Sequence, residues 1–210
     1  MPVPNPGPSR QEHGEPAAVG FTVKSGWAAV VLLAGPAVAP RVLDACRIEL
    51  SDPSVPDARQ PYHHGFGTAR SAGPALTRLV GSVRRFGRNA VTALLRRYSM
   101  DGCPPARAGI AVGSRIDPDR ITNEHIRIHA LEGRLFRSVI EDALGRAGLS
   151  SRTATGRDLL ARASTVLERT ESEVQLALSA LDRPQPRPWR AEQKLAALAA
   201  WLALADPRRD

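Results

Sequence analysis

Apolar positions dominate the chain from Val19 to Leu33, interrupted by the short polar step Lys24-Ser25-Gly26. That run predicts either a hairpin turning at Gly26 or one long strand that bends there. After the Gly/Pro turn 34–40, residues 41–50 alternate. Val42, Asp44, Cys46, Ile48 and Leu50 share one face, mainly apolar, and Leu43, Ala45, Arg47 and Glu49 share the other, as in a half-buried strand. The long segment 51–73 has no such period. Pro74 then opens a helix to about Tyr98, with Leu76, Val80, Val83, Ala90, Leu94 and Tyr98 as apolar positions. Gly81 and Gly87 weaken it by roughly 1 kcal/mol each relative to Ala and suit close packing on a sheet. Ala108 to Val112 reads as a short buried strand. Thr122 or Asn123 caps a second helix that ends near Gly148, with Ile128, Leu131, Leu135, Val139 and Ala143 as its stripe. Arg152 to Thr155 fits a strand or a turn, and Asp158 to Leu167 fits strand or helix. Glu171 to Leu181 reads as helix, Pro184 to Pro188 as a hinge, and Arg190 to Leu204 as a final Ala/Leu-rich helix.

This order of segments predicts one α/β domain over residues 18–205, with a mixed sheet flanked by helices. A disordered tail is expected over 1–17, which is rich in Pro, Gly and charge, and a short tail over 206–210. The length of 210 residues and the 42% hydrophobic content support one good core rather than two domains. Four Phe, three Trp and two Tyr leave that core to Leu, Val, Ile and Ala. Cys46 and Cys103 form neither a disulfide framework nor a CxxC metal motif. The N-terminus lacks the apolar stretch of a signal peptide, and the run 27–38 is too short to span a bilayer. A cytoplasmic protein without a membrane partner is therefore expected.

The net charge is +8, carried largely by Arg, which permits binding to nucleic acid or acidic lipid. A GC-rich coding bias would load the chain in the same way. The charge is most concentrated on the first long helix. Residues 73–100 contain Arg78, Arg84, Arg85, Arg88, Arg96 and Arg97 and no acid, so this helix is either a phosphate-binding face or the solvated side of a helix that covers a sheet. No Gly-rich loop followed by Lys accompanies it, which weighs against a nucleoside triphosphate site.

Three further groups carry candidate chemistry. On the second helix His125, His129 and Glu132 fall on one face and are the candidate ligands for Zn²⁺ or another divalent metal. The pattern is not HExxH, because Ile126 stands where the general-base Glu would be. His63-His64 in the long loop is a candidate for proton transfer or phosphate contact, with no partner legible from the sequence. Asp117, just past the short strand, and Glu192, opening the last helix, are candidate catalytic carboxylates that would hold Mg²⁺ for phosphoryl transfer. Their structural roles would be to turn the chain before Pro118 and to favour a helix N-terminus.

The segment order resembles the ribonuclease H-like superfamily, in particular its Holliday-junction resolvase branch, over roughly residues 18–205. Val19 to Trp27 looks like the opening strand and its turn, Ala108 to Val112 like the later central strand, and Arg190 to Leu204 like the terminal helix. The resemblance implies a ribonuclease H-like mixed sheet and, in active members, carboxylates on these three elements holding two divalent metals. Asp117 and Glu192 can stand for the last two. The opening strand offers Thr22 and Lys24 instead of an acid, which implies an inactive or repurposed member. The expected function is nucleic-acid binding through Arg78, Arg84, Arg85 and Arg88, with the His125/His129/Glu132 face flanking the ligand. One alternative is a metal-dependent phosphoryl-transfer enzyme using Asp117, Glu192 and Glu132, with Mg²⁺ as cofactor and Zn²⁺ as the weaker candidate. Another is a protein-interaction module presenting the loop 51–73 or the hinge 184–188.

Overall fold

A computed structural model describes residues 15–65, 68–70, 72–181 and 189–205. The apolar run folds as a hairpin, β1 (Ala17–Lys24) and β2 (Trp27–Ala34), closed by Ser25 and Gly26. Gly26 takes φ +84°, a backbone conformation glycine adopts without a Cβ clash. β3 (Arg41–Glu49) pairs antiparallel with β2. β4 (Arg107–Val112) and β5 (Ser151–Thr155) extend the sheet in parallel from β1, giving the order β3-β2-β1-β4-β5. The mixed sheet is the architecture expected from the segment order.

Helices cover both faces. α1 (Pro74–Met100) and α2 (Glu124–Arg146) pack with each other on one face, over Val19, Phe21, Val30, Leu32 and Ile110. α3 (Gly156–Val166), α4 (Glu171–Ala180) and α5 (Ala191–Ala205) cover the other, over Val31, Leu33 and Ala111. The segments left open between strand and another form resolve as β5 and α3. Asn123 caps α2, its side chain accepting from the Ile126 N–H.

The strict alternation expected for β3 breaks. A bulge between Leu32 and Leu33 of β2 pairs Leu32 with Asp44 and Leu33 with Val42, so Leu43 is the extra residue. Val42 therefore packs on the α5 side, whereas Leu43, Cys46, Ile48 and Leu50 pack under α1. Of the two helix glycines, Gly87 is the packing site: an added Cβ would meet the Val139 side chain at 2.6 Å and the Leu50 carbonyl at 3.0 Å. Gly81 faces open space. Apart from Ala17, which opens β1, and its neighbours Glu15 and Pro16, the expected N-terminal tail lies outside the described residues, as do the hinge 184–188 and the tail 206–210.

Candidate functional site

At 3.6 residues per turn, Arg78, Arg84, Arg85, Arg88 and Arg96 fall within an arc of roughly 120° on α1. Arg88 is half-buried and the other four are exposed. No carboxylate lies within ion-pair distance of any of them among the described residues. The buried residues Val83, Gly87, Val91, Leu94 and Tyr98 form the opposite stripe. Arg97 is different in kind: its guanidinium binds the Asp44 carboxylate on β3 at 2.5 Å.

Beside α1, the described residues of the long segment 51–73 are folded. A 3-10 turn at Pro56–Arg59, a bridge between His63 and Ala69, and Arg70 binding Asp57 and the Pro61 carbonyl hold it in place. It brings His63 to α2. The Nδ1 of His63 lies 2.8 Å from Oε1 of Glu132, whose side chain is wholly buried, and the Ser25 hydroxyl donates to the other carboxylate oxygen at 3.3 Å. Burial holds the Glu132 carboxyl above the ordinary carboxylate range, against the smaller opposing pull of the bonds to His63 and Ser25.

His125 and His129, one turn apart on α2, place their Nε2 atoms 3.3 Å from each other. The ring centroids of His63 and His129 are 4.9 Å apart. One nitrogen from each of His63, His125 and His129 lies within 4.8 Å of the others, the only cluster of three or more potential metal ligands among the described residues. Burial, and then the neighbouring His63 and His125, lower the pKa of His129. The sequence reading put His125, His129 and Glu132 on one face of this helix. It assigned Glu132 to the same triplet, whereas in the structure Glu132 turns to His63 and Ser25, and His63 takes the third corner.

His129 also lines a cleft of about 340 Å³ at the C-terminal ends of β1 and β4, with Lys24, Ser25, Ser114, Arg134 and Arg137. Such a position, beyond the carboxyl ends of parallel strands, is where open α/β sheets bind ligands. The two candidate catalytic carboxylates are not part of the three-histidine cluster, and their ion-pair partners Lys24 and Arg134 line the cleft. Asp117 is 3.6 Å from Arg134 of α2 and caps the turn Pro118–Arg120. Glu192 is 3.5 Å from Lys24, and its backbone carbonyl accepts the Thr22 hydroxyl at 2.9 Å. They are thus tied to helices on opposite faces of the sheet. Opposite Thr22 on β4 is Ala111, also buried and facing α5.

The partnership of His63 with Glu132 joins residues 69 positions apart, and no local pattern announces it. The length of the 51–73 segment was the one available signal, since a long structureless loop is unusual in a compact domain.

No protein-family model and no curated protein matches the chain. Solved structures do. RuvC from Thermus thermophilus superimposes with a TM-score of 0.51 at 16% identity, over 88% of this chain and 91% of that one. The structure of T. thermophilus RuvC in complex with Holliday junction substrate gives 0.50 at 16% identity, over 89% and 90%. The chain therefore has the ribonuclease H-like fold of these resolvases.

Proposed function

We propose that the chain binds nucleic acid through the acid-free face of α1, on a ribonuclease H-like frame that does not run orthodox two-metal hydrolysis. The observation that carries this reading is the single basic face itself: five arginines on one side of a helix, with no carboxylate among the described residues within ion-pair distance. An arginine array with no carboxylate in ion-pair contact leaves much of its charge to be met from outside, and phosphates can meet it. Arg78, Arg84, Arg85 and Arg88 are the phosphate-binding side chains. RuvC, with the same fold, holds a Holliday junction substrate, which favours a branched or duplex ligand over a small one. A cytoplasmic setting suits the two free thiols, Cys46 and Cys103.

The loss of hydrolysis is supported by the three elements that carry carboxylates in active resolvase-like members. Here β1 contributes Thr22 and Lys24, and the carboxylate on α5, Glu192, is engaged by that lysine. Asp117 is held by Arg134 on the α2 side.

The test is fluorescence anisotropy with labelled single-stranded DNA, duplex DNA, a four-way junction and RNA, across a salt series. Binding should weaken steeply with salt. On duplex DNA the variant R84A/R85A/R88A should flatten the slope of log K against log salt by about 0.9 for every phosphate it no longer neutralises. Absence of binding at low salt, or a slope unchanged in the triple variant, would remove the proposal.

A further inference from the structure

We infer that His63, His125 and His129 form a mononuclear Zn²⁺ site with an open fourth position, and that Glu132 positions His63 as a ligand. The geometry is close to what the ion requires. Zn–N bonds of about 2.0–2.1 Å at tetrahedral angles put ligand nitrogens about 3.3–3.4 Å apart. The Nε2 atoms of His125 and His129 are 3.3 Å apart. All three candidate nitrogens lie within 4.8 Å of one another, so small rotations of three imidazoles, two of them exposed, close the remaining gap.

The partner of His63 is the second, independent observation. A metal-bound imidazole characteristically donates its other ring N–H to a carboxylate, which fixes the tautomer and the ring plane. The Nδ1 of His63 lies 2.8 Å from Oε1 of Glu132, the geometry of a ring N–H donating to a carboxylate oxygen. Nε2 is then left with a free lone pair, on a ring whose centroid lies 4.9 Å from that of His129. Glu132 is wholly buried and receives a further bond from Ser25, so the orientation of the ring is fixed from behind. A wholly buried carboxylate is costly to maintain, and seating a ligand accounts for its presence at the foot of a three-histidine cluster.

An all-imidazole set selects the ion. It suits Zn²⁺, Cu²⁺ or Ni²⁺ and is poor for Mg²⁺, which takes oxygen ligands. Three protein ligands leave one position for water or an exogenous donor. Because His129 also lines the cleft with Lys24, Arg134 and Arg137, an anionic oxygen bound in that cleft is the donor class the open position faces. The inference stands independently of α1, so nucleic-acid binding can fail without touching it.

The full chain, freed of metal by chelator and dialysis, is titrated with Zn²⁺ by calorimetry, and the Co²⁺-loaded form is measured by visible absorption. The expected result is one ion per chain and the intense d–d bands of four- or five-coordinate Co²⁺. H125A and H129A, both at exposed helix positions, should lower affinity by at least about tenfold, as should E132Q, which keeps the ligands but weakens the acceptor behind His63. H64A, next in sequence but outside the cluster, should bind like the parent. A stoichiometric Zn²⁺ affinity that survives in the H125A/H129A double variant, a Co²⁺ spectrum matching the hydrated ion, or no uptake at all would overturn the site.

Discussion

Asp44 on β3 shows how much of a residue's role is set by an element far away in sequence. Its carboxylate accepts the Tyr98 hydroxyl at 2.9 Å and pairs with Arg97, both from α1. Alternation along β3 placed Asp44 on the face of Cys46, and the structure keeps it there. Which side chains would meet it depended on the rotation of α1, which periodicity leaves undetermined to within a residue or two. The grouping has consequences for both neighbours. Removing the acceptor in Asp44→Ala leaves a buried phenol hydroxyl without its partner, which should cost about 1–3 kcal/mol, read as a lower urea midpoint at unchanged m-value. Cys46 feels the site through burial first and the Asp44 charge second, and its thiol is pushed up to about 11. It is therefore protonated, and a poor nucleophile, at neutral pH. Because the folded state holds this proton more tightly than the unfolded chain, with its thiol pKa of about 8.5, the contribution to stability is full below that value. It declines as pH rises towards about 11. Denaturation from pH 8 to 11 should show this decline in the parent and a shallower one in Cys46→Ala. Equal slopes would mean the thiol is not perturbed.

Elements were legible where a period or a cap marked them, and less so where backbone contact decided the outcome. The long amphipathic helices α1 and α2, the buried strand β4 and the Ala-rich α5 all announce themselves by spacing or run length. The bulge at Leu43 does not, since nothing in the residues 41–50 distinguishes an extra residue from a regular one. The glycines of the sheet are a similar case. A Cβ on Gly20 would collide with the Ala196 carbonyl, and one on Gly109 with the Ala199 carbonyl. The helix α5 thus rests directly on the backbones of β1 and β4, with small residues on both sides. That close approach explains why an Ala-rich helix can be so thoroughly buried, from Ala196 to Leu202. Gly109→Ala should therefore force α5 off the sheet and cost about 1–3 kcal/mol or more, as overpacking does. Gly81→Ala, on an exposed face of α1 with nothing within 4 Å, should be neutral or stabilise by up to about 1 kcal/mol. Thermal melts of the pair separate the two roles. A tolerated Gly109→Ala would show that α5 has slack against the sheet.

On the scale of the whole molecule, the proposed absence of two-metal hydrolysis turns on electrostatics. The frame has the ribonuclease H-like topology, in which the ends of β1 and β4 meet the start of α5. The sequence showed that topology through the order of its elements, but not how charges from separate elements would pair. In the folded chain the ammonium of Lys24 lies 3.5 Å from Glu192, so a divalent cation binding there would have to displace a positive charge already in place. Asp117 is engaged by Arg134 in the same way. Arg134 is shared with Asp119 at 3.7 Å, so each candidate carboxylate already has a cation beside it, and Mg²⁺, an ion that dehydrates reluctantly and needs dense oxygen ligation, would have to displace both. A four-way junction incubated with the protein and Mg²⁺ or Mn²⁺ should consequently be bound and remain uncut over hours, as read on a denaturing gel. Lys24→Ala should not create cleavage, because it removes one obstacle without supplying the acid that β1 lacks at Thr22. If a metal-dependent product did form, and was lost in D117N or E192Q, the carboxylates would be catalytic after all and the frame would be working as a nuclease by a ligand arrangement other than the one seen here.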